Sequence, residues 1–78
     1  MPLFFFHLYD DAVTLDAEGT ELANTDAAKD VAVRTARELA CTEVRAGHLG
    51  LSHRIEVTDA YDARVATVRF KDAVKLQP

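Results

Sequence analysis

One cysteine, no tryptophan, three glycines and two prolines in 78 residues leave several chemistries without material. Cys41 cannot form an internal disulfide, and one Cys with three scattered His makes no zinc-ligand spacing, so neither a metal nor a cofactor is expected. A reducing, cytoplasmic compartment fits that cysteine usage. Long apolar runs are missing too. The stretch Leu3 to Leu8 is short, has no basic residue before it and is followed by Asp10 and Asp11, so neither an export signal nor a membrane span is expected. There is also no basic excess: the formal net charge of −4 opposes close approach to phosphate backbones, which disfavours nucleic acid as a partner.

What remains is ordinary globular material, 49% hydrophobic and 28% charged. The length suits one domain, residues 1–78, because two cores could not each bury enough apolar surface to offset the entropy lost on folding. A core of this size is marginal, and such chains often gain stability by pairing with a second copy.

Phe4, Phe6 and Leu8 alternate with Leu3, Phe5, His7 and Tyr9, the pattern of a strand with two apolar faces over about 3–9. Asp10-Asp11 turns the chain into a second strand over about 13–16, and a polar, Gly19-containing segment follows. Asn24 is a suitable N-cap, Asp26 complements the helix dipole, and Gly47 closes a helix over about 25–46. Its main apolar face carries Ala28, Val31, Ala32, Thr35, Ala36 and Leu39, with Val33, Ala40 and Val44 as a narrower stripe beside it. Strands over about 54–59, with Ile55 and Val57 inward, and about 64–70 complete the order. The fold class expected is α+β, ββαββ, with a four-stranded, mostly antiparallel sheet and one long helix packed on one face.

Several short motifs lie within this plan: Met1-Pro2 before Phe4-Phe5-Phe6-His7, Asp16 and Glu18-Gly19 ahead of Leu22, and Ala27-Ala28 with Ala36-Arg37-Glu38-Leu39 in the helix. With Ile55-Glu56-Val57-Thr58-Asp59 and Phe70-Lys71-Asp72-Ala73-Val74, the chain resembles a family of short bacterial proteins known only as a domain of unknown function. The resemblance implies a stand-alone cytoplasmic protein and supplies no catalytic residue. The turn Asp59 to Ala63 departs from the family's Asp/Glu-x-Gly turn, having no glycine.

Candidate chemistry is sparse. Pro2 would be a usable base if Met1 were removed and an apolar pocket lowered the pKa of its secondary amine, a mechanism known in tautomerases that also open with Met-Pro and a strand. Those proteins run from the first strand into a helix, whereas a second strand intervenes here. His7 is the other candidate pocket residue, against the plainer reading of a hydrogen-bonded structural histidine. His48 and His53 flank a glycine loop with no carboxylate nearby in sequence and read as solvated. Cys41 falls on the polar helix face between Arg37 and Arg45 and reads as a surface thiol without a base. The Phe-rich first strand also fits a base-stacking platform, but the acidic charge counts against it.

If Phe4, Phe6 and Leu8 fill the groove beneath the helix, then Leu3, Phe5, His7 and Tyr9 have no cover within one protomer. The function expected is a self-associating or protein-binding module using that face, the Val33-Ala40-Val44 stripe, or both. The partner is a second copy, forming a dimer, or another protein. The alternative is a small-molecule binder or enzyme with Pro2 or His7 in a pocket between sheet and helix.

Overall fold

Asn24 starts the one long helix as its sequence position predicts: its side-chain oxygen accepts the Ala27 N–H at 2.8 Å, satisfying a donor that the first helical turn leaves free. In a computed structural model that describes residues 1–77, this helix, α1, runs Thr25–Arg45. At its far end Gly47 takes φ +93° while Gly47 and His48 donate back to the Val44 and Glu43 carbonyls, both at 3.0 Å. This paired return needs a residue free of Cβ strain at Gly47.

Around α1 the chain builds β1 (Leu3–Tyr9), β2 (Val13–Thr14), β3 (Thr20–Glu21), β4 (Arg54–Thr58), β5 (Arg64–Arg69) and a single turn of helix, α2 (Phe70–Ala73). All pairings are antiparallel, in the order β2-β1-β4-β5, with β3 also on β1. The architecture is α+β with the expected ββαββ order and one long helix on one side of the sheet. The second expected strand, however, is two short pieces and not a continuous run over 13–16. β2 and β3 follow the same side of β1, but residues 15–19 loop out between them and shift the register by two.

Four alanines, Ala28, Ala32, Ala36 and Ala40, form the fully buried ridge of α1. Spaced by four, they lie one above the other, and their small size lets the helix backbone come close to Ile55, Val57 and Val68. Phe4 and Phe70 fill the space at either side, with Phe6, Leu8, Val33 and Leu39 half-buried at the margin. This corrects the expected second stripe. Ala40 is 3% exposed inside the protomer's own core, Val33 packs against that core, and only Val44, at 58%, faces water. The physical reason is the exact four-residue step from Ala36 to Ala40, which puts Ala40 on the ridge.

The β4–β5 turn resolves the missing glycine. Asp62 adopts φ +63°, a left-handed conformation that glycine takes most readily, and Asp59 Oδ1 accepts the N–H groups of Tyr61 and Ala63 at 2.8 and 3.0 Å. Asp tolerates this conformation better than most residues because its short polar side chain hydrogen-bonds locally. Among the described residues, no helix is long and apolar enough to cross a membrane.

Candidate functional site

Directly opposed residues of antiparallel strands point to the same side, so the register defines the helix-free face of the sheet. One row is Val13, Tyr9, Arg54 and Arg69, the next His7, Glu56 and Thr67, and the next Phe5, Thr58 and Arg64. Leu3 and Glu21 follow. No helix packs on this side among the described residues.

The expected exposed row Leu3, Phe5, His7 and Tyr9 is half-buried. Part of the cover is the loop between β2 and β3: Gly19, at φ +76°, approaches so closely that a Cβ there would sit 3.0 Å from Phe5 Cε1 and 3.1 Å from Leu3 Cδ1. The rest comes from Arg54, whose guanidinium carbon lies 4.4 Å from the Tyr9 ring centroid in a cation–π contact. Val13, at 59%, and Leu15, at 64%, remain in water.

Asp16 organises the loop. One carboxylate oxygen accepts the Phe6 N–H at 3.1 Å, standing in for the strand that has looped away, and the other accepts the N–H groups of Glu18 and Gly19, both at 3.1 Å. Partial burial pushes the Asp16 carboxyl up, but the N–H groups of Gly19, Phe6 and Glu18 more than reverse this and hold it below the ordinary aspartate value. Its own N–H donates to His7 Nδ1 at 3.1 Å, and His7 Nε2 lies 3.0 Å from Thr58 Oγ1. An N–H pointing at Nδ1 fixes the proton on Nε2, which then donates to the Thr58 hydroxyl. Both ring nitrogens are thus engaged, and the ring stacks parallel to Phe5 with centroids 6.4 Å apart.

Glu56 is the one glutamate in the middle rows, and two arginines hold it: Arg54 Nη2 at 3.0 Å and Arg64 Nη1 at 3.3 Å. Burial raises the Glu56 carboxyl, while hydrogen bonds from Arg64 and Arg54 and their charges bring it below the usual range. Arg69 stands directly opposite Arg54, two like charges side by side. The face therefore carries Arg54, Arg64 and Arg69 around a single central carboxylate, on a chain whose net charge is −4. At the end of the strands away from Arg54 and Arg69, in the row that also holds Arg64, a shallow hollow of about 260 Å³ is lined by Asp16, Asp59 and Asp62 together with Phe5, His7 and Thr58.

The structure does not bring the two candidate pocket residues together. Pro2 lines a separate hollow of about 690 Å³ with Met1, Phe4 and Tyr61, and its carbonyl accepts the Leu22 N–H at 3.0 Å. His48 is exposed, as is the Cys41 thiol. His53 is a correction: its Nδ1 lies 2.7 Å from Glu43 Oε2, with both side chains 14% exposed, although no carboxylate is adjacent in sequence. Glu43 sits in the last turn of α1, and the Gly47 turn folds the connector back over it so that Glu43 Oε1 also accepts the Gly50 N–H at 2.8 Å. The sequence signal was Gly50 itself, since any side chain there would overlap the His53 ring. The hydrogen bond to Glu43 raises the His53 pKa against the lowering effect of burial, helped by the charges of Glu43, Asp11 and Asp10.

Over residues 3–71 the chain matches the model of a family described as a domain of unknown function, DUF6894. No curated protein matches it, and no solved structure does. Because the match spans most of the sequence, the chain belongs to that family.

Proposed function

We propose that this member of the family is a protein-binding module that offers the helix-free side of its sheet to an acidic partner. The observation that carries the reading is the arginine cluster: Arg54, Arg64 and Arg69 share one face with a single glutamate between them, in an otherwise acidic chain. Arg54 gives its charge to Glu56, and a carboxylate brought beside it meets the exposed Arg69 that stands opposite in register. Leu3, Phe5, Tyr9 and Val13 beside them supply apolar area, each square ångström removed from water contributing about 25 cal/mol.

A second copy is a partner of the same kind, and one observation favours it. The face carries Arg54 and Arg69 at one end and, at the other, Asp16, Asp59 and Asp62 with Arg64 held by Glu56, so two copies laid face to face and turned end for end bring the Arg54-Arg69 end of each against the three aspartates of the other. The catalytic alternative has less to stand on, because Pro2 and His7 line separate hollows and both nitrogens of His7 are engaged.

Light scattering at micromolar concentration, in low and high salt, tests self-association. A dimer that dissociates in Arg54→Glu/Arg69→Glu supports the end-for-end pairing; a monomer at every concentration removes it. Binding of a short polyglutamate probe, followed by amide shifts, tests the wider reading. Shifts centred on Tyr9, Arg54 and Arg69 support it, whereas shifts confined to Arg34, Arg37 and Arg45 of α1, or none, would overturn it.

A further inference from the structure

The two edges of the sheet are treated differently. On the β2/β3 side the edge is broken into two-residue pieces, and the Asp16 carboxylate occupies the Phe6 N–H that a further strand would need. Short, interrupted edges of this kind resist pairing with another chain. On the other side β5 is a single run of six residues, Arg64–Arg69, with one register irregularity at Val65, and among the described residues no backbone hydrogen bond reaches its outer side. β5 is the last strand of the sheet order, and α2 begins at the next residue.

Charge at this edge is arranged as well. Residues 64 and 69 differ by an odd number and would point to opposite sides of a regular strand. The register shift at Val57/Thr58 changes that: Arg64 pairs with Thr58 and Arg69 with Arg54, so both arginines stand on the helix-free face, one at each end of β5. β5 in symmetric antiparallel pairing with a second copy of itself would set arginine against arginine at both ends, which disfavours the chain's own β5 as occupant.

Resting on the reading of the face as an acidic-partner surface, we propose that the partner contributes an extended acidic segment that adds to β5 as a further strand. Its backbone pairs with the open edge, and its carboxylates on the helix-free side meet Arg64 and Arg69. Backbone pairing gives the affinity and the two arginines set the charge preference.

The test uses the whole protein and four fluorescent probes: an alternating Val-Glu decapeptide, its Val-Lys counterpart, the Val-Glu peptide with two prolines in the middle, and a decathymidylate. Expected is binding of the Val-Glu peptide, at least about tenfold weaker binding of the lysine and proline versions, and weaker binding still of the oligonucleotide. Slowed hydrogen exchange of outward β5 amides should accompany the complex. Arg64→Glu/Arg69→Glu, both exposed positions, should reverse the preference toward the lysine peptide. If the proline peptide binds as tightly as the unbroken one, strand addition fails while the acidic-partner face stands. If no peptide binds, both fail. Tighter binding of the oligonucleotide would overturn both in favour of nucleic acid.

Discussion

Two histidines in this small domain sit beside carboxylates, and they are wired in opposite ways. At His7 the carboxylate of Asp16 turns to the backbone, and it is the Asp16 N–H that meets the ring, which holds the imidazole as an acceptor at Nδ1. At His53 the carboxylate of Glu43 meets the ring directly at 2.7 Å, which favours the protonated form. The first arrangement shapes a loop; the second ties the end of α1 to the connector and responds to pH. What decides between them is which atom of the acidic residue the fold presents.

The largest effect that would break this comparison is expected at Asp16. Asp16→Ala leaves the N–H groups of Phe6, Glu18 and Gly19 without their acceptor, and hydrogen bonds to a charged group contribute about 1.5–3 kcal/mol each where they are shielded. Partial solvent access lowers the sum, so a loss of about 2–3 kcal/mol in urea unfolding is expected, enough to unfold much of so small a domain. An unchanged urea midpoint would show that water replaces the carboxylate and that the loop does not depend on it.

Next comes Gly50→Ala. The added methyl must displace the His53 ring from Glu43, at a cost of about 1–3 kcal/mol for overpacking. The displaced ring should also lose its raised pKa, readable from its NMR titration.

pH sharpens the contrast without changing packing. The folded pKa of His53 lies above its reference of 6.5, so the stability it contributes is fully present below about pH 6.5 and is lost as pH rises through the folded value. Glu43, Asp16 and Glu56 are lowered, so their contribution is present above their reference values and lost as pH falls through the folded ones. His53→Gln should therefore flatten the alkaline limb of the stability profile and weaken the Glu43 part of the acid limb, leaving the Asp16 and Glu56 parts in place. The counterpart at the other site is the tautomer: nitrogen chemical shifts of His7 should report the proton on Nε2, and a proton on Nδ1 would contradict the bond from Asp16.

The smallest expected change lies outside both clusters. Asp62→Gly removes the cost of a side chain at φ +63° and should stabilise by about 0.5–1 kcal/mol, after allowing for the greater freedom glycine gives the unfolded chain.

Much of the frame was legible in the residues. Asn24, Gly47 and the alternation around Ile55 and Val57 specify structure through neighbours a few positions away, and those elements stand where such local signals put them. The candidate face was legible as a list of side chains, Leu3, Phe5, His7 and Tyr9, but not as a surface. Its cover by Gly19 and Arg54 depends on contacts between residues far apart in the chain. The arginine cluster was invisible for the same reason: Arg54, Arg64 and Arg69 are scattered in sequence and gather only through strand register and one irregularity at Val57/Thr58.

By itself, then, the sequence determined the main strands, the long helix and their order, because hydrophobic period, caps and turn residues act over a turn or two of chain. Tertiary structure alone decided that Val33 is covered while Val44 is not, that Glu43 finds His53, and that Asp16 substitutes for a missing stretch of strand. Each of those depends on a polar or steric match between segments ten or more residues apart, or on the angle at which a helix lies on its sheet, and neither is written into any local pattern.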